Sequence, residues 1–200
     1  MTVAPGDLVT WAGKIARCYL DVPEFREARW RHVQAVAAKA ATLAPAYGAD
    51  GDLLIAAAWL HDIGYAPSLA ATGFHPLDGA RFVAGLGAGR TAGLVAHHSG
   101  AAIEAELRGL AKELADFPDE RGPVRDALWA CDMTTSPLGE PVPFDERLAE
   151  ISERYGADHT VPRAITAAGD DIRRAIGRTR QRAGVAGISI DLQVTTRPML

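Results

Sequence analysis

The stretch "AAAWLHDIGYAP", residues 56–67, decides how the rest of the chain is read. It closes the longer run "GDLLIAAAWLHD", residues 51–62, which is apolar all round rather than along one stripe. Such a run predicts a central helix buried on every side. It ends in an imidazole and a carboxylate, His61 and Asp62, and Gly64 and Pro67 then stop the helix. A buried carboxylate without a partner is costly or becomes protonated, so this helix end calls for partners from elsewhere in the chain.

The surroundings read as helical. Alanine, leucine, arginine and glutamate are frequent, and β-branched alternation is scarce before the end. Helices are predicted near 6–20, 24–44, 51–62, 76–86, 89–98, 102–115, 120–134, 144–155 and 160–183. Pro23 precedes the second, Pro45 and Gly48 follow it, and Pro76 suits the first turn of the helix after His75. "SPLGEPVPF", residues 136–144, is a loop. "GISIDLQVTTRPML", residues 187–200, alternates and reads as an edge strand, an extended arm or a partly disordered tail. The predicted class is all-α, one domain with a core at about 25–140, a helical appendage at about 141–185 and a short irregular or β-like tail at 186–200.

Composition narrows the function classes. The 200 residues are 48% hydrophobic with a net charge of -4, enough for one well-buried domain and contrary to broad nucleic-acid binding. Two cysteines, Cys18 and Cys131, do not make a disulfide framework and read as small core residues. No signal peptide or membrane span is visible, so a cytoplasmic protein without membrane partners or a specific nucleic-acid partner is expected. The oligomeric state is open.

Polar residues on apolar faces are the partners sought. In 24–44, Phe25, Ala28, His32, Val36, Ala40 and Leu43 recur at steps of three and four, with His32 mid-stripe. In "VRDALWACDMTT", residues 124–135, Asp132 lies on the edge of the buried face near the helix end, where the dipole disfavours an anion. His75 stands at a helix mouth, and His97 and His98 end another apolar helix. Each has a bland reading: a satisfied core histidine, a salt bridge, a helix-entry residue. Their conjunction favours a metal site, since five of the six histidines lie on or at the ends of predicted buried helices, and only His159 sits in a polar context. Imidazole and carboxylate ligands suit zinc, iron or manganese, and helix bundles build such sites from converging helices.

The order His32, then His61-Asp62, then Asp132 resembles the HD superfamily of metal-dependent phosphohydrolases. "RWRHVQAVAAKA" is similar to its first-histidine helix, "WLHDIG" to its signature doublet and "ACDMTTSPLG" to its final-aspartate segment. "HPLDGARF" and "HHSG" resemble the branches with six ligands and two metals. The resemblance implies a first metal on His32, His61, Asp62 and Asp132, and a second on Asp62, His75 and His98, with one or two ions of Fe, Mn or Zn per chain. It implies hydrolysis of a phosphoester or phosphoanhydride of a small phosphorylated molecule, a nucleotide first. Asp62 and His97 are then the expected catalytic residues, with His97 protonating the leaving oxygen. Tyr65, Arg31, Ser99 and Thr135 are the expected substrate contacts. Many two-metal members carry a lysine where this chain has Tyr65; Arg29, Arg31 and Arg90 are the candidate replacements. The alternatives are a di-iron oxygenase on the same ligands, and a metal-stabilised binding or regulatory module without turnover.

Overall fold

The computed structural model describes residues 8–195. Its helices are α1 (Leu8–Leu20), α2 (Arg29–Leu43), α3 (Gly51–Leu60), α4 (His75–Gly85), α5 (Gly89–Ala96), α6 (Ala101–Arg108), α7 (Ala111–Leu114), α8 (Pro123–Met133), α9 (Phe144–Tyr155) and α10 (Thr160–Val185). No strand occurs among the described residues, so the architecture is all-α, as expected. Among them, no helix is long and apolar enough to cross a membrane.

Helix α3 is central because its whole surface is apolar. Leu53, Leu54, Ala57 and Ala58 join a core cluster built with α2, α8 and α10, while Ala56 and Leu60 join a second cluster with α1, α4 and α5. The alanines Ala56, Ala57 and Ala58 are fully buried and let neighbouring helices approach closely. α3 therefore packs on α1, α2, α5 and α8 at once, and its C-terminal end emerges where these helices meet.

Several boundaries differ from the pattern-based reading, each for a local reason. α2 begins at Arg29, not 24, because Ala28 leaves helical geometry (φ -126°, ψ -72°); residues 22–28 form turns instead. The helix expected over 102–115 is split at Gly109, whose positive φ of 72° ends α6. α8 starts at Pro123, which needs no N–H partner in a first turn. Cys131 is buried as expected, but Cys18 lies on the exposed side of α1.

From Ile188 to Thr195, the last described residue, the tail is irregular, without helix or strand. Gln193 and Val194 accept hydrogen bonds from Phe144 N (3.0 Å) and Asp145 N (2.9 Å), which satisfies free N–H groups at the start of α9. Leu192 is buried, and Ile188, Ile190 and Val194 pack on the same core. Residues 196–200 of the expected tail, and 6–7 of the expected first helix, lie outside the described residues.

Gly64 fixes how α4 sits. It lies in the 3₁₀ turn Ile63–Tyr65 that follows the doublet. A Cβ there would fall 2.1 Å from the His75 carbonyl oxygen and 2.6 Å from Gly79 N. Only glycine permits this approach, which brings the first turn of α4 against the end of α3. Gly64→Ala is expected to destabilise the fold by about 3 kcal/mol, the scale of overpacking against backbone. Chemical denaturation measures it, and a change below about 0.5 kcal/mol contradicts the close packing.

Candidate metal centre

His61 and Asp62 follow directly on α3, and both are buried. His32 reaches them from the buried face of α2, and Asp132 from the last turn of α8. His75 opens α4, and His98 opens the 3₁₀ turn after α5. Five elements of separate sequence position thus converge on one carboxylate.

Asp62 divides its two oxygens. Its Oδ2 lies 3.4 Å from His61 Nε2 and 3.8 Å from His32 Nε2. Its Oδ1 lies 3.3 Å from His75 Nε2 and 3.9 Å from His98 Nε2. Asp132 Oδ1 closes on the first pair, 3.0 Å from His32 Nε2 and 3.8 Å from His61 Nε2. Metal bonds of about 2.1 Å give ligand-to-ligand edges of roughly 3.0–3.4 Å, so these spacings suit two cation positions sharing Asp62. His32, His61 and Asp62 form one group able to hold an ion, and Asp62, His75 and His98 the other.

The tautomers support this. His61 Nδ1 faces the Ala58 carbonyl at 2.8 Å, His98 Nδ1 that of Val95 at 2.6 Å, and His32 Nδ1 that of Ser136 at 3.1 Å. Donating these Nδ1 protons leaves each Nε2 as a bare lone pair, the ligating form. Lone pairs at His32 and His61 Nε2 then face one another at 3.4 Å, and an imidazole pair at His75 and His98 meets at 3.1 Å. Such pairs are stable only with a cation or a proton between them.

Electrostatics point the same way. Burial disfavours ionised carboxylates here, yet Arg29 and His61 hold Asp62 well below the usual range, and His32 and His61 do so for Asp132. Burial also opposes charge on His61, but Asp62 and Asp132 outweigh it and push its pKa up to about 9. Burial, with His75 and His61 nearby, pushes His98 down to about 3. The cluster attracts positive charge, and a proton on His61 supplies it when no ion does.

The two adjacent histidines separate because α5 ends at Ala96. His97 leaves helical geometry (φ -111°, ψ 19°), and Ser99 takes a left-handed conformation at φ 48°. A non-glycine residue there stores about 1 kcal/mol of strain. The Ser99 hydroxyl donates to Asp132, which holds it in place. His98 turns into the cluster. His97 turns away: its Nε2 donates to the Phe117 carbonyl at 2.8 Å, and its own carbonyl accepts from Trp129 Nε1 at 2.8 Å. The expected acid role for His97 thus has no geometric basis.

The other expected contacts divide. Tyr65 and Ser99 line the cavity beside the cluster. The Tyr65 ring stacks on His75 (centroids 4.0 Å apart, 19° between planes) and lies 3.9 Å beneath the Arg29 guanidinium. Arg29 in turn pairs with Asp62. Arg31 is instead exposed and pairs with Glu27 at 3.3 Å, because it lies on the solvent side of α2. Thr135 is buried with its hydroxyl on the Cys131 carbonyl at 2.7 Å, outside the cavity lining. Arg90 bridges Asp50 and Glu120 on the surface. Pattern reading missed Arg147, Arg154 and Tyr155, which line the cavity from α9. A signal existed: Phe144, Arg147 and Ile151 form the buried stripe of α9, and an arginine on such a stripe is as anomalous as His32.

Two outcomes test this geometry. Metal binding must displace the His61 proton, so at pH 7 the first cluster releases about one proton per ion, and affinity rises with pH until about 9. Calorimetry in buffers of different ionisation heat reads this directly; binding without proton release excludes His61 as a ligand. In metal analysis, His98→Ala lowers the ions held per chain, whereas His97→Ala leaves them unchanged. The reverse pattern would contradict the assignment.

Comparison with known proteins agrees with the geometry. No curated protein and no solved structure matches the chain. The family model for the HD domain matches residues 29–131, from the first residue of α2 to the residue before Asp132. That family consists mostly of metal-dependent hydrolases. With just over half its length matched and the doublet placed at the convergence of its buried helices, the chain belongs to the HD domain family.

Proposed function

We propose that the protein is a metal-dependent phosphohydrolase acting on a small phosphorylated molecule. The observation that carries this reading is the shared Asp62 carboxylate, flanked by two histidine pairs and opening on a cavity that three arginines line. His32, His61, Asp132 and one oxygen of Asp62 would hold one ion; His75, His98 and the other oxygen would hold the second. These nitrogen and oxygen donors suit Mn, Fe or Zn. When bound, the ions supply Lewis acidity, lowering the pKa of water toward about 7 and neutralising phosphoryl charge.

The chain's own residues supply the rest. Arg29, held between Asp62 and the Tyr65 ring, presents a planar fork of donors suited to phosphoryl oxygens. Burial and the nearby Asp62 keep the Tyr65 hydroxyl protonated, although Arg29 opposes this. Tyr65 is therefore an O–H donor at the cavity wall, not a base. It also holds the ring plane of His75. This gives a physical role to the residue standing where many relatives have lysine. Met133, Ile151, Val161 and Ile165 give the cavity an apolar side. A nucleotide is the first substrate to try.

The test is metal analysis followed by a screen of phosphorylated metabolites. Hydrolysis without oxygen, with Mn, Fe or Zn bound, is the expected result. Asp62→Asn should lower turnover by at least about 10³-fold and lose metal. Full turnover and full metal content in that variant would reject the reading. Two irons with oxygen-dependent turnover would establish the oxygenase, and bound metal without turnover of any compound would establish a binding module.

A further inference from the structure

The cavity beside the metal cluster carries a feature that the metal ligands do not explain. Arg147, on α9, is about 5% exposed, and its Nε is buried without a hydrogen-bond partner. It lies beyond the residues that match the family. Its guanidinium pairs with Glu150, and Glu150 also faces Arg154 Nε at 3.4 Å. One carboxylate thus serves two arginines. Burial lowers the pKa of Arg147; Asp132 and Glu150 oppose this, while Arg154 and Arg29 add to it by repulsion. Arg147 thus has one acceptor in Glu150 and a buried Nε donor with none, which is a cost to the fold. Asp62 and Asp132 do not fill that need once they serve a metal.

We infer that the site selects phosphomonoester dianions over phosphodiesters, with Arg147 and Arg154 of α9 gripping the phosphoryl oxygens opposite the metal cluster. This rests on the phosphohydrolase reading above. Charge supports it: two arginines of the cavity lining share one acidic partner on α9, the third is paired only with a metal-ligand carboxylate, and Glu104, a further carboxylate of the lining, is taken by Arg108, which favours a dianion over the monoanion of a diester. The reaction is balanced by water alone: the P–O bond to the alcohol breaks, a P–O bond to the water oxygen forms, and a water proton ends on the alcohol.

Equilibrium binding of inorganic phosphate to the metal-loaded protein, read by calorimetry, tests the grip without turnover. Arg147→Gln is expected to weaken phosphate binding about ten- to hundredfold, the range for losing charge-assisted hydrogen bonds. Arg147→Lys should recover part of it. Glu150→Gln should tighten it, because the competing carboxylate is gone; a purely structural Arg147–Glu150 pair predicts no gain. If Arg147→Gln does not fold, Arg154→Gln and Glu150→Gln carry the test. In turnover, p-nitrophenyl phosphate should exceed bis(p-nitrophenyl) phosphate in kcat/KM, and Arg154→Gln should erode that preference chiefly through KM. Diesters cleaved as well as monoesters, or phosphate binding indifferent to Arg147, Arg154 and Glu150, would overturn the inference and leave the hydrolase reading standing. Arginine-dependent phosphate binding without hydrolysis of any phosphoester would do the opposite: the grip stands and the hydrolase reading falls.

Discussion

Everything in this molecule is arranged around one carboxylate. Asp62 is buried at the end of a helix that touches both core clusters, and its two oxygens face two different pairs of imidazoles. A lone anion in that position is unstable, so each surrounding element answers its charge. α2 brings His32 and Arg29, α4 brings His75, and the kinked turn after α5 brings His98. The apolar packing holds these helices at the distances that the charge requires. The charge in turn makes the cluster able to hold a cation.

The supporting contacts are of two kinds. Backbone carbonyls at Ala58, Val95 and Ser136 take the Nδ1 protons and aim the Nε2 lone pairs inward. Side chains then fix the second layer: Ser99 holds Asp132, and Tyr65 holds both His75 and Arg29. Tyr65 is thus part of a stacked column between His75 and the Arg29 guanidinium, which itself pairs with Asp62.

The C-terminal part completes the cavity. The irregular tail accepts hydrogen bonds from the first N–H groups of α9, and Arg173 of α10 pairs with Asp145 at 2.8 Å. These contacts hold α9 with Arg147 and Arg154 toward the cluster. A segment that looks like an irregular tail is therefore joined to the start of the helix that lines the cavity. The HD match covers only residues 29–131, so this wall is particular to the part of the chain beyond it.

The sequence by itself determined the helical class, the central place of α3 and the candidates for the cluster, because a polar residue on a buried helix face or end is an anomaly in an apolar pattern; the resemblance to the HD superfamily then favoured His98 over His97. His32 interrupts a stripe, and Asp132 sits where a helix dipole repels it. Such anomalies are local, so they can be read along one chain. Three things were decided only by tertiary structure. Which of His97 and His98 faces the cluster depends on the left-handed Ser99, a conformation no propensity favours. Which arginine reaches Asp62 depends on a two-residue difference in position, since Arg29 and Arg31 point to opposite sides of α2. The role of α9 depends on an approach between segments more than eighty residues apart in sequence. Direction and long-range contact arise from packing, and periodicity carries no record of either.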